Sequence, residues 1–236
     1  MNREISRRQL ARMRRDWDRR ARENARYYVA TGRQDWSDAE FFAAGEQELR
    51  DHVYNDRENI CRGRRPGDMR VLEIGCGAGR VTRPLAGYFG EVYAVDISRQ
   101  MVRQARRAVA DFPNAHVFRN NGRDLACLRP PWWRLFGRRA PLEFDFAFSC
   151  LVFQHIASRA VIASYVREVN RFLRAGALFK FQVQGFTAEE LSPEDSWSGY
   201  PFTREDAEQM AGESGFELRY DWGAGTQYYW LWFFKR

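Results

Sequence analysis

The stretch Val71-Leu72-Glu73-Ile74-Gly75-Cys76-Gly77-Ala78-Gly79-Arg80 constrains the fold more than any other part of the chain. Val71, Leu72 and Ile74 form a short apolar run, partly β-branched, as expected of a strand buried on both faces of a parallel sheet. Gly75, Gly77 and Gly79 let the backbone turn tightly and approach a ligand with no side chain between. After Arg80, the residues Val81, Leu85, Tyr88 and Phe89 fall at helical spacing, and Pro84 is compatible with a helix only in its first turn. Strand, glycine bend and helix together predict an α/β fold with a nucleotide-sized cradle at the carboxyl edge of the sheet, where unpaired helix N–H groups face the ligand.

A dinucleotide fingerprint requires G-x-G-x-x-G, and Arg80 stands where the third glycine belongs, which disfavours a nicotinamide-dependent reductase. The next apolar run, Val92-Tyr93-Ala94-Val95, ends in Asp96, seventeen residues after Gly79. A carboxylate at the tip of a second strand can accept both ribose hydroxyls of a nucleoside. The other reading of Asp96 is a helix cap, a task Ser98 can also perform. The E-x-G-x-G-x-G pattern with its downstream acid resembles the class I S-adenosylmethionine-dependent methyltransferases of small-molecule type, and the resemblance spans about residues 66–236. It implies an α/β domain with a seven-stranded, mostly parallel, doubly wound sheet and an antiparallel last strand, using S-adenosylmethionine as methyl donor. By the same resemblance Gly75, Gly77 and Gly79 approach the methionine and ribose portions, Glu73 serves the amino end, and Asp96 holds the ribose. Cys76, Ile97 and Cys150 are carried into the same cofactor-binding set.

A helix over Met101–Ala110 and a short third strand, His116–Arg119, lead to Asn120-Asn121-Gly122-Arg123. The resemblance implies that Asn121 reads the adenine edge with Gly122 and Arg123 packed beside it, since an Asn side chain both donates and accepts. An ordinary Asn-Gly turn is the alternative. The segment Pro130–Arg139, with Trp132, Trp133 and Phe136, interrupts the alternation and either covers the sheet's flank or walls an acceptor pocket. Phe144–Leu151 is the fourth strand, and Ser149–Ile156 resembles the loop that faces the transferred methyl. It lacks the N/D-P-P-Y/F tetrapeptide of enzymes that methylate DNA base amines, which lowers a nucleic-acid reading. His155 is the candidate general base there, or else a structural histidine that orients the loop. A helix through Val161–Leu173, a strand over Ala177–Gln184, a gate-like loop from Gly185 to Pro201, a helix capped by Thr203, and an antiparallel pair near 216–220 and 227–234 complete the pattern.

Residues 1–65 precede the sheet and read as a helical extension or lid. Leu10, Met13, Trp17, Ala21, Asn24 and Tyr28 share one helical face while ten arginines between Arg3 and Arg26 mostly occupy the others. A second helix follows a Ser37/Glu40 capping box and carries apolar residues as far as Ile60. By the resemblance such helices form a lid from which Arg26, Tyr27, Tyr28, Arg33 and Trp36 reach the methionine end, the alternative being a docked extension that completes the core; an Arg-rich face equally suits RNA or an acidic membrane surface. The runner-up function is therefore an RNA-modifying methyltransferase or nucleic-acid-binding protein. Net charge is +7, but only Lys180 and Lys235 of the 38 basic residues are lysines, so the balance reads chiefly as a solvated basic face. Four cysteines without C-x-x-C spacing point to neither zinc nor a redox pair, and fit a reducing cytoplasm. The longest apolar run, Tyr228–Phe234, has seven residues, too few to span a bilayer. The expected partner is a small-molecule methyl acceptor, with no metal required.

Overall fold

The computed structural model describes residues 6–129, 142–186 and 197–236. Five strands, β1 (Arg70–Ile74), β2 (Glu91–Asp96), β3 (Ala115–Arg119), β4 (Phe144–Ser149) and β5 (Leu173–Val183), run parallel. Two more, β6 (Phe216–Trp222) and β7 (Tyr229–Lys235), close the sheet in the order β3-β2-β1-β4-β5-β7-β6. β7 alone is antiparallel to its neighbours, because the short connection from β6 doubles back and slots it between β5 and β6. Every residue of the central β4 is buried, as its near-continuous apolar composition requires.

Helices cover both faces. On one, α6 (Arg159–Phe172) and α7 (Arg204–Glu213) place Val166, Val169 and Met210 against Phe153, Phe179, Phe181 and Phe233. On the other, α2 (Asp38–His52), α3 (Arg57–Cys61) and α4 (Thr82–Tyr88) bring Leu49, Ile60 and Leu85 onto Val71, Phe146, Phe148 and Trp230. Pro84 falls in the first turn of α4, where its missing N–H is harmless. The Ser37/Glu40 and Thr203/Asp206 capping boxes both form. α5 (Arg99–Ala108) starts at Ser98, whose hydroxyl accepts from Met101 N–H.

Three expectations change. The first helix, α1 (Arg7–Val29), is broken at Asn24, whose extended backbone and side-chain acceptance from Tyr27 N–H make it the cap of a fresh final turn. α2 ends at His52, and a single tight turn, Tyr54–Asp56, separates it from α3. β5 begins four residues early, pairing Leu173 with Phe144 before Gly176, at φ +73°, allows a bulge that resumes at Leu178. The aromatic segment Pro130–Arg139 and most of the loop Gly185–Pro201 lie outside the described residues.

Two buried ionisable groups are held differently. Lys180 on β5 is 2% exposed and donates to Asp56 Oδ2 and the His52 carbonyl, each at 2.7 Å, while the Trp232 indole N–H donates to the same Asp56 oxygen. Burial lowers the Lys180 pKa, and Asp56 opposes the shift. Asp56→Ala leaves that ammonium uncompensated and is expected to cost about 3–5 kcal/mol in denaturant unfolding. Glu73 on β1 accepts from Thr82 Oγ1 at 2.6 Å, and burial raises its pKa to about 7 against the pull of Thr82 and Arg80. A carboxyl raised this way contributes stability below its unfolded pKa near 4.5 that is lost as pH climbs to about 7. Glu73→Gln, with no proton to lose, is expected to match the parent near pH 4.5 and to melt several degrees higher at pH 8 in calorimetry.

Candidate active site at the carboxyl edge of the sheet

The turn after β1 is folded by its own glycines and tied to the end of β2. Gly75 and Gly77 hold φ of +78° and +51°, a region that L side chains rarely adopt. A Cβ on Gly75 would collide with Val152, and one on Gly77 would stand 2.7 Å from Val29 Cγ2, so both positions face a tight cover. Gly77 N–H donates to Asp96 Oδ2 at 3.0 Å and Ser98 N–H to Asp96 Oδ1 at 2.7 Å. The Asp96 carboxyl is 9% exposed, and desolvation raises its pKa to about 6 against those two backbone bonds.

Around this bend lies a crevice of about 80 Å³. Of the residues expected at a cofactor site, Tyr28, Gly75, Gly77, Asp96, Ile97 and Cys150 line it. Glu73 and Cys76 do not: Glu73 is turned onto Thr82, and Cys76 packs with Ala94, Val102 and Ala105 under α5. Gly79 is also outside, its missing side chain admitting Ala105 and Ala108 of α5. Asn121 is a correction of register. It is exposed, and its Oδ1 accepts from Arg123 N–H and Asp124 N–H in a closed local turn, which leaves Arg123 in solvent. Gly122 is buried against Ile97 and Leu10 instead of lining the crevice.

Asn120 occupies the crevice in place of Asn121. Its backbone continues the ladder by donating to the Asp96 carbonyl, and the period of two along a strand turns adjacent side chains to opposite sides. Asn120 Nδ2 donates to the buried Tyr165 hydroxyl and its Oδ1 accepts from Gly122 N–H. Trp17, Val29, Leu151 and Val152 also line the crevice and were not expected there; only the apolar face of the first helix hinted at Trp17. Leu151 adopts φ +58°, a left-handed backbone unusual for leucine, and its N–H donates to Gln182 Oε1.

A chain of amides runs from that strained residue to His155. Gln182 Nε2 donates to Gln154 Oε1, and Gln154 Nε2 lies 3.2 Å from His155 Nε2. His155 Nδ1 lies 2.5 Å from the Trp197 carbonyl, which only accepts, so the proton belongs on Nδ1 and the Nε2 lone pair faces Gln154. The imidazole also packs against Trp17 and Trp197.

The N-terminal helix covers the crevice. Asp18 Oδ1 accepts from Ser98 Oγ and Gln100 N–H, and Gln104 donates to the Ala21 carbonyl, seating α1 on α5. Arg20 is buried with its guanidinium 4.9 Å from the Trp17 ring and 5.0 Å from the Trp197 ring, and Arg26 donates to the Trp36 carbonyl and Asp38. Two members of the Arg-rich run are thus spent inside the fold. Among the described residues, no helix is long and apolar enough to cross a membrane.

Residues 72–179 match a family described as a methyltransferase domain. No curated protein matches the chain in sequence. Among solved structures, the chain is similar in fold to magnesium protoporphyrin IX methyltransferase from Synechocystis PCC 6803 with bound SAM, at 16% identity, TM-score 0.64 and 100% of each chain covered. It is also similar to DesVI from Streptomyces venezuelae, at 14% identity and TM-score 0.60, over 86% of this chain and 100% of that one. A third is phosphoethanolamine N-methyltransferase 1 from Haemonchus contortus, at 14% identity and TM-score 0.60, covering 96% of this chain and 49% of that one. With the glycine bend, the acid closing β2 and the reversed β7 on the page, the match over residues 72–179 identifies a methyltransferase domain there, and the seven-stranded sheet has the Rossmann-like methyltransferase fold.

Proposed function

We propose that the chain transfers the methyl group of S-adenosylmethionine to an oxygen or nitrogen nucleophile of a small molecule by in-line displacement, with residues 1–65 as the cover of the cofactor crevice. One observation carries this reading: the glycine bend, the Asp96 carboxyl and Asn120 converge on a single crevice at the carboxyl edge of the sheet. The residues fit an adenosyl group in kind. A carboxylate has about four lone-pair sites, and Asp96 spends two on Gly77 and Ser98, which leaves acceptors for two ribose hydroxyls. Asn120 keeps an N–H and a lone pair beyond its bonds to Tyr165 and Gly122, the pairing an adenine edge needs. The room fits less well, because about 80 Å³ is well under the 300–1,000 Å³ typical of small-molecule sites. Val29 sits over Gly77 in the last turn of α1, beyond the break at Asn24, so a swing of that turn enlarges the crevice without unseating the rest of the helix from α5.

When bound, the sulfonium supplies an electrophilic methyl group. The protein's own part is to exclude water and to hold the nucleophile in line, and the aromatic cover of Trp17 and Tyr28 does the first. His155 acts as a base at Nε2 only where the acceptor displaces the Gln154 amide from that lone pair. Otherwise it clamps the Trp197 segment over the site.

Because Asp96 must be ionised to accept hydroxyls, calorimetric affinity for S-adenosylhomocysteine is expected to fall as pH drops below about 6. Asp96→Ala is expected to weaken it at least tenfold, about 1.4 kcal/mol, at neutral pH; unchanged affinity refutes the ribose role. Asn120→Ala is expected to weaken binding severalfold while Asn121→Ala leaves it within twofold, and the reverse order would restore Asn121 to the adenine edge.

A further inference from the structure

A second and larger cavity, of about 530 Å³, opens on the other side of His155. One wall is the opening turns of α1, with Arg8, Arg12 and Arg15; the opposite wall runs from His155 to Ser158 and on to Val161 in the first turn of α6. Met13 and Ile156 line both this cavity and the cofactor crevice, so the two share a wall near the point where Trp17 packs edge-on against His155. A molecule in the larger space therefore lies beside the place where the methyl group is presented.

The charged side chains among the described lining residues, His155 aside, are arginines. Arg8, Arg12 and Arg15 recur at steps of four and three, which stacks three guanidinium groups on one helical face. Like charges at that spacing repel one another along the helix surface. Among the described residues no carboxylate lines the cavity, and neither α1 nor α6 has an acid in its first turn to offset the positive end of its dipole. Asp16 pairs with Arg12 at 3.9 Å from outside the described lining, a long contact in which the Arg12 side chain stays half-exposed. Planar guanidinium groups in such a concavity match the paired oxygens of a carboxylate or phosphate.

We propose that this cavity is the acceptor site and that the acceptor is an anionic small molecule, its carboxylate or phosphate held by Arg8, Arg12 and Arg15. The proposal rests on the methyl-transfer reading above. It is tested with methyl-labelled S-adenosylmethionine and a small-molecule cell extract split on an anion-exchange resin before reaction. Label is expected in the retained, anionic fraction, and the R8Q/R12Q/R15Q variant is expected to lower that incorporation at least tenfold while its calorimetric affinity for S-adenosylhomocysteine stays within twofold of the parent. If the triple variant no longer binds S-adenosylhomocysteine, the three single Arg→Gln variants are compared instead, each expected to lower incorporation at least twofold. Label confined to the neutral or cationic fraction, label in neither fraction despite S-adenosylhomocysteine binding, or variants that turn over the anionic fraction like the parent would each overturn the proposal alone. Absence of S-adenosylhomocysteine binding by the parent would instead remove the methyl-transfer reading, and this proposal with it.

Discussion

The Asp96 carboxyl, bonded on one oxygen to Gly77 N–H and on the other to Ser98 N–H, is the contact on which the site depends. It joins the bend after β1 to the end of β2 and to the start of α5. Because α1 docks on that same start through Asp18, the cover of the crevice is indexed to the group at its floor. The carboxyl is held in a buried place at an electrostatic cost, visible in its raised pKa, and backbone donors from the glycine bend and from the cap of α5 hold it there. Replacing either glycine would both strain the turn and drive a side chain into Val152 or Val29.

The remaining architecture positions a second layer around that contact. Gly45 of α2 lies against the Arg80 carbonyl, where a Cβ would collide, and Arg80 in turn donates to Glu48. Glu48 accepts from the Cys150 thiol at 3.4 Å. The loop after β4 is thus braced from one face by α2 and from the sheet by the amide chain through Gln182 and Gln154. The left-handed Leu151 sits between these two supports, a strained backbone kept in place by the bonds around it. The two cavities that flank His155 differ in chemistry for the same structural reason: one is floored by the sheet edge and its glycine bend, the other is roofed by the arginine face of α1.

Much of the fold was legible because burial imposes period and punctuation. The runs at Val71–Ile74, Val92–Val95 and Phe144–Phe148 could be strands because they are apolar on both sides, and capping chemistry at Ser37, Ser98 and Thr203 located three helix starts. The lining of the crevice was legible where it is set by backbone freedom or a strand end, as at Gly75, Gly77 and Asp96. Asn120 and Asn121 are chemically identical, and which one enters the crevice depends on the register at which β3 leaves the sheet, beside Asp96. Glu73 and Cys76 belong to the same motif as the glycines, but Glu73 turns onto Thr82 and Cys76, in the bend itself, packs under α5.

The sequence by itself determined the class of fold, the place of the bend and the carboxylate beside it, since glycine conformations, apolar runs and caps are local properties of the chain. Tertiary structure alone decided that the first helix breaks at Asn24 and lines the crevice, that Trp17 meets His155 across 138 residues, and that three exposed arginines of an amphipathic face border a cavity. Those outcomes depend on which surfaces meet when distant segments pack, and no local periodicity encodes them.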